Sequence, residues 1–391
     1  MKLRAGRLKI LYHHRTRARD GQSVHIDELI HALRGLGHEV IVVEPHRVDA
    51  TAQTLERRLI PQFLYELAEI CYSLVEFVKL AIAAIRHRPD ALYERANLFM
   101  LSGLWTARLF QIPYLLEVNS PLAEERARYG GLSWPRLAAW TEQTCWKGAT
   151  MAMPVTQALA GHLLRSGVLP ERIAVTPNGV NPLIFFPKES MAAKARLGLA
   201  KGLVLGFVGY VRDWHRLDRA IQLLADRPAM ADAHLLIVGD GPARASLASQ
   251  ARQLGVADRV HFTGIVPREA IADLVAAFDI ALQPEVTPYA SPLKLFEYMA
   301  QARAIVAPAT ANILEILEDR VDALLFPPDR DGAMGDAIEQ LARDPDLRER
   351  LGRASARKIS DRNLTWEGNA RRVVLVAGMS VRPTSLRRKI A

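Results

Sequence analysis

Leu8-Lys9-Ile10-Leu11-Tyr12 opens the segment that decides the fold, and Glu39-Val40-Ile41-Val42-Val43-Glu44 closes it. Between them, apolar residues fall at Ile26, Leu29, Ile30, Leu33 and Leu36. The two end pieces are short apolar runs of strand length. The middle has the three-and-four spacing of a helix with one buried face. Gly35 and Gly37 end that helix. Strand, loop, helix and second strand in this order open a doubly wound α/β domain, whose ligands bind beyond the carboxyl ends of the strands. The polar loop from His13 to Gln22, with Arg15, Arg17, Arg19 and then Gly21, is therefore one place to look for chemistry, although its three arginines read equally as a solvated loop.

Working outward, Ala91–Tyr93 and Tyr114–Val118 read as further strands, and Thr54–Arg86 as a long helical pattern that Pro61 can break. The alternation restarts after Pro177-Asn178-Gly179. Strands are predicted at Leu203–Val208, His234–Val238, Arg259–Phe262, Ile280–Leu282, Ala304–Ala307 and Ala323–Phe326. Helical patterns separate them at Leu217–Ala225, Ala243–Leu254, Arg268–Ala277 and Leu293–Ala300. The irregular stretch Pro182–Ser190, with Pro182 and Pro187, marks the boundary. The division expected is a first Rossmann-like domain over 1–182 on the acceptor side and a second over 183–365. Residues 366–391 form a C-terminal helix crossing back to the first domain, plus a basic tail. Two such domains facing each other make a cleft.

Composition agrees with two large cores. The chain has 391 residues, 50% hydrophobic and 24% charged, and domains run to about 100–200 residues. Cys71 and Cys145 are its two cysteines, which excludes a disulfide scaffold or a four-cysteine zinc site and fits a reducing cytosol. With 51 Lys+Arg against 42 Asp+Glu the net charge is +9, which leaves nucleic acid, an anionic membrane face or phosphorylated substrates as partners. The apolar run Leu8–Tyr12 is too short for a signal-peptide core. From Leu59 to Ile85 the sequence is rich in apolar residues, but Glu66, Glu69, Glu76 and Lys79 interrupt it, so a soluble or peripheral protein is expected.

Ser291-Pro292-Leu293-Lys294-Leu295-Phe296-Glu297-Tyr298-Met299-Ala300 is the most informative stretch for chemistry. Pro292 suits the first helical position with Ser291 as N-cap. The free amides of Leu293 and Lys294, at the positive end of the helix dipole, would then hold an anion. Glu297 lies one turn on and could reach a ribose hydroxyl. The plain alternative is a capped helix with a surface Glu and Lys.

Followed by Gln301-Ala302-Arg303-Ala304-Ile305-Val306-Ala307-Pro308, this stretch resembles the donor-binding block of family 4 glycosyltransferases. Gly37-His38-Glu39-Val40, Pro177-Asn178-Gly179-Val180-Asn181, Gly239-Asp240-Gly241-Pro242 and Phe262-Thr263-Gly264 resemble the family's other blocks, in the family's order. The resemblance implies the GT-B architecture, a retaining reaction, and a nucleoside-diphosphate sugar held mainly by the second domain. It implies no metal and no other cofactor. Gly264, Ile265, Ser291, Leu293, Lys294 and Glu297 would then bind the donor, with Gly21 approaching its diphosphate from the first domain. Two basic residues on the loop after the second domain's first strand usually neutralise the leaving group. In Gly209-Tyr210-Val211-Arg212-Asp213-Trp214-His215-Arg216 the usual arginine position holds Tyr210. Arg212 is the nearest substitute, His215 stands where a lysine is usual, and Arg216 replaces a common glycine. A solvated basic loop is the alternative.

Two more departures stand out. The family's two glutamates are eight positions apart; Glu297 is the second, but Tyr289 occupies the first position and Glu285 is out of register. The histidine common after the first domain's later strands is absent from Leu116-Glu117-Val118-Asn119-Ser120-Pro121, which leaves Asn119 to hold a hydroxyl and Glu117 on the same strand face. His25 reads as structural. Asp329-Arg330-Asp331 and Asp344-Pro345-Asp346 match the Asp-x-Asp pattern of metal-dependent transferases but sit near helix starts, where aspartate caps.

The function expected is sugar transfer to an acceptor hydroxyl in cell-surface polysaccharide or glycolipid synthesis, the acceptor being lipid-linked or a glycan. A nucleotide-sugar epimerase and a basic nucleic-acid-binding protein are the rivals; scattered basic residues without a binding module argue against nucleic acid. Arg57-Arg58, Arg86-His87-Arg88, Arg382 and Arg387-Arg388-Lys389 flank apolar sequence or end the chain. They suggest a cytoplasmic protein held peripherally on an anionic membrane face, released by salt.

Overall fold

The computed structural model describes residues 6–16, 21–45 and 61–380. Arg17, Arg19, Arg57, Arg58, Arg382, Arg387, Arg388 and Lys389 lie outside the described residues. Strands β1 (Lys9–His13) and β2 (Glu39–Val43) run parallel with Lys9 opposite Glu39, and helix α1 (Gly21–Gly35) connects them. Helix α2 (Gln62–His87), strand β3 (Ala91–Arg95), helix α3 (Ser102–Phe110), strand β4 (Tyr114–Val118), helices α4 (Leu122–Tyr129) and α5 (Pro135–Gly148) and strand β5 (Met151–Pro154) follow. The parallel sheet has the order β2-β1-β3-β4-β5. Every residue of β3 and β4 is buried, as in a parallel sheet covered on both faces. Helix α6 (Trp366–Ser380), near the C-terminus, packs on α1, where the Trp366 ring lies 4.8 Å from that of His25.

These elements belong to one unit, Met1–Pro177 with Trp366–Ala391; Asn178–Thr365 forms the other. The division thus falls inside the Pro177-Asn178-Gly179 turn, ahead of the boundary placed at 182. Strand β5 is an element that the apolar pattern does not reveal. Its four residues, Met-Ala-Met-Pro, are too few to show a period, and pairing to β4 makes them a strand.

The second unit has a six-stranded parallel sheet, β11-β10-β9-β6-β7-β8. Its strands are β6 (Val204–Val208), β7 (His234–Val238), β8 (Val260–Phe262), β9 (Ile280–Leu282), β10 (Ala304–Pro308) and β11 (Leu324–Phe326). Along β6 the side chains alternate between two cores. Leu205 and Phe207 join one with Leu235 and Ile280, while Val204 and Val208 join the other with Phe296 and Tyr298. Two helices matter for the chemistry, α7 (Arg268–Ala276) and α8 (Leu293–Ala300).

Helix α2 reverses the usual arrangement of an amphipathic surface helix. It begins directly after Pro61, and its buried residues include Glu66, Glu69 and Glu76, while Leu74, Ile82 and Ile85 are 57–65% exposed. The glutamates that seemed to interrupt an apolar segment are in fact its inward face. Glu66 accepts the amides of Ser133 (2.8 Å) and Trp134 (3.0 Å). Glu69 pairs with Arg126, and Glu76 with His13 and Lys79.

Candidate active site

In the second unit the loops after β6, β7 and β8 close on one another because glycines let backbone meet backbone. A Cβ on Gly239 (φ +137°) would sit 2.1 Å from the Gly209 carbonyl oxygen, and one on Gly241 would sit 2.2 Å from that of Val211. The Val211 amide donates to the Asp240 carbonyl (2.9 Å), and Gly239 pairs with Gly264 in an antiparallel bridge. Gly264 is left-handed (φ +70°) and Ile265 is 88% exposed at the tip.

Helix α8 starts beside these loops. Leu295 makes the first intrahelical bond, to the Pro292 carbonyl (3.2 Å), so the Leu293 and Lys294 amides precede it and lack a carbonyl in their own helix. The expectation that Ser291 caps the helix is corrected: Pro292 occupies the cap position and no side chain caps it. The Ser291 hydroxyl instead accepts the Asn178 amide (3.2 Å), and the Ser291 carbonyl accepts from Asn178 Nδ2 (2.5 Å). Glu297 is buried and pairs with Arg268 of α7 (3.3 Å).

The basic loop divides by environment. Arg212 is exposed, its guanidinium 5.1 Å over the Tyr210 ring. Arg216 is left-handed (φ +53°), the conformation a glycine would favour, and pairs with Asp218 at 3.2 Å; an exposed pair of this kind is weak and exchangeable. His215 is buried, and its Nδ1 accepts the Arg212 amide (3.2 Å), which leaves the proton on Nε2. Burial first, then the charges of Lys294 and Arg212, push its pKa down to about 2. The expected second cation is thus corrected to a neutral imidazole.

The Lys294 side chain lies beside the same loop. Its ammonium lies 3.8 Å from the Phe207 ring centroid and 3.3 Å from where a Cβ of Gly209 would stand. Burial lowers its pKa to about 7, against the pull of Glu297. The sequence assigned Lys294 a role through its amide; its side chain could be placed only with β6 and α8 packed together.

In the first unit, buried charges gather at the carboxyl ends of β1, β3 and β4. His13, at the end of β1, lies between Glu94 (Nδ1, 2.6 Å) and Glu76 (Nε2, 3.2 Å), while Tyr114 donates to Glu94. Burial alone would lower the His13 pKa, but the two carboxylates outweigh it and raise it to about 9. Glu117 accepts from Tyr93 (2.7 Å), Asn119 (2.6 Å) and Arg95 and lies 3.1 Å from His25 Nε2. These partners hold its carboxyl well below the usual range despite burial. Glu117 therefore orients Asn119, and its lone pairs are engaged. His25, read as structural, belongs to this cluster. Glu142 of α5, which sequence reasoning passed over, is buried against the start of α4, accepting the Leu122 amide (2.7 Å); burial lifts its pKa to about 7. Of the arginine loop, Arg15 is described, and it faces Glu69 (3.6 Å) and the Tyr72 ring (4.8 Å). Gly21 is the exposed first residue of α1.

Asp344 caps the helix Pro345–Asp361 through the Leu347 amide (2.9 Å). Among the described residues no group of three His, Cys, Asp or Glu side chains is arranged to hold a metal ion.

Comparison with known proteins places both units. Residues 202–344 match the family model "Glycosyl transferases group 1", and residues 19–182 match "Glycosyltransferase Family 4". A 2-deoxystreptamine glucosyltransferase of Streptomyces kanamyceticus is 28% identical over 259 residues, 63% of this chain and 65% of that protein. A D-inositol 3-phosphate glycosyltransferase of Kribbella flavida is 29% identical over 202 residues, 48% of this chain and 47% of that one. The alignments thus span less than two thirds of these relatives. Among solved structures, Anabaena HepE in complex with UDP superposes with a TM-score of 0.76 at 19% identity, covering 95% of this chain and 100% of that one. WaaG, a glycosyltransferase involved in lipopolysaccharide biosynthesis, gives 0.69 at 16% identity over 94% and 99%.

Proposed function

Because the chain belongs to the family 4, group 1 glycosyltransferases and has the two α/β units of the GT-B fold, we propose that it moves a sugar from a nucleoside-diphosphate sugar to an acceptor hydroxyl. One observation carries this reading: the open N-terminal turn of α8, with the Lys294 ammonium beside the Gly209 loop and Glu297 one turn on. A diphosphate meets amides and an ammonium there, and a ribose meets a carboxylate.

In this reading the bond between the anomeric carbon and the diphosphate oxygen breaks, and negative charge grows on the leaving group. Lys294, Arg212 and the Leu293 and Lys294 amides offset that charge. Neutral His215 offers an Nε2–H and no charge. The acceptor oxygen bonds the anomeric carbon on the face the diphosphate leaves, and its proton passes to a phosphate oxygen, so configuration is retained. No protein base is needed, which suits the engaged state of Glu117; Asn119 holds the acceptor hydroxyl. The proposed chemistry uses no metal and no other cofactor. UDP, which HepE binds, is the first nucleotide to test. The proposed acceptor is a glycan or lipid-linked molecule at the cytoplasmic face of a membrane, and nucleic acid is not a partner.

A thermal-shift comparison of UDP, GDP and their sugars tests the donor site. At a hundredfold excess over Kd, binding adds about 2.7 kcal/mol of stability. Glu297→Gln, which keeps the shape beside Arg268, should abolish most of the shift while its own melting stays cooperative. If no nucleoside diphosphate shifts the wild-type protein, the proposal fails.

A further inference from the structure

Along helix α2, at 100° per residue, Leu64, Leu67, Cys71, Leu74, Val78, Ile82 and Ile85 fall on one face about 80° wide, and all seven are exposed. The stripe runs most of the length of a 26-residue helix, roughly 39 Å at 1.5 Å per residue. Its charge is one-sided. The helix's three glutamates all point inward, while Arg86 and Lys79, the latter reaching back to Glu76, are exposed along one edge and Arg88 follows at the end. The neighbouring α3 ends in exposed Arg108 and Leu109.

We propose that this face of α2 is an interfacial anchor that lies in the surface of an anionic bilayer. No helix among the described residues is long and apolar enough to cross a membrane, and a broad apolar face with a basic edge suits a helix lying in the interface plane. A second copy of the chain is the poorer occupant: its α2 would bring the same basic edge and no outward glutamate to meet it. The same helix touches the cluster at the strand ends from its other side, where Glu76 holds His13. Anchoring thus brings the acceptor-side unit to the membrane, which rests on the acceptor reading above, although the binding itself does not. Because apolar immersion is not screened by salt, attachment should partly survive high salt, unlike a purely ionic one.

Cys71 is a native reporter, since Cys145 is buried and the chain has no other cysteine. The full-length protein, labelled at Cys71 with a polarity-sensitive fluorophore, is titrated with vesicles of phosphatidylcholine alone or mixed with phosphatidylglycerol. Emission should shift to the blue with the anionic vesicles and keep part of that shift in 0.5 M salt. Leu74→Gln/Val78→Gln/Ile82→Gln should weaken partitioning roughly a hundredfold at either salt. Arg86→Gln/Arg88→Gln should weaken only the preference for anionic lipid, roughly thirtyfold. These positions are exposed, so cooperative melting and the nucleotide thermal shift should be unchanged. An unaltered response in the triple variant overturns the anchor. So does a wild-type shift that depends on protein concentration without vesicles, which would make a second copy the occupant. Vesicle binding without any nucleotide shift would sink the proposed reaction and leave the anchor standing.

Discussion

Replacing Lys294 with methionine tests the donor site at its most specific point. The stem still covers Phe207, 3.8 Å from the ammonium in the wild type, so the packing is kept and only the charge is lost. In the free protein the lysine titrates near pH 7. A bound diphosphate favours the ammonium and must raise that value, so nucleotide affinity is coupled to protonation. The sign follows: UDP binds at full strength below pH 7, where the lysine is already charged, and more weakly above it. From pH 7 to 8.5 the neutral fraction of the free protein grows until Kd rises about fifteenfold, ~1.6 kcal/mol at 1.36 kcal/mol per decade. Phosphate groups, with a second pKa near 6, are ionised throughout this window. Lys294→Met should remove the slope and weaken binding at pH 7 by about 1.5–3 kcal/mol, the worth of a charge-assisted hydrogen bond. Titration calorimetry of UDP between pH 6.5 and 8.5, in buffers of different ionisation enthalpy, reads both affinity and proton uptake. A flat wild-type profile, or the same slope in the variant, refutes the assignment.

His13→Gln takes the imidazolium from buried Glu94 and leaves Glu76 with Lys79 as its cation, and should cost about 3 kcal/mol in urea unfolding. Because the folded pKa is raised from 6.5 to about 9, the wild type's advantage should be complete below pH 6.5 and fade as pH rises through 9; equal stability at pH 6 would count against the buried imidazolium. Arg212→Ala should lower kcat more than it raises the donor KM, since charge on the diphosphate grows toward the transition state. Steady-state kinetics on the two proteins decide this, and unchanged kcat would leave the role to Lys294 and the helix amides. Turnover should also survive EDTA; loss on chelation with recovery on adding Mn²⁺ or Mg²⁺ would return Asp329 and Asp331 to consideration.

The alternating and continuous apolar runs were enough to locate most strands and the α8 helix, because a parallel sheet buried on both faces needs apolar residues at every position. Motif order then pointed to the family and to the α8 turn. Hydrogen-bond partners and burial lay beyond the sequence, since both are set by residues distant along the chain. Ser291 looks like a cap until Asn178 takes its hydroxyl. His215 looks like a cation until Phe207, Trp214 and Lys294 surround it. Helix α2 shows the limit most clearly. Its period is readable, but which face turns inward depends on the Ser133 and Trp134 amides, Arg126 and His13 meeting three glutamates. Only the folded chain brings those partners close enough to make burying carboxylates cheaper than burying leucines.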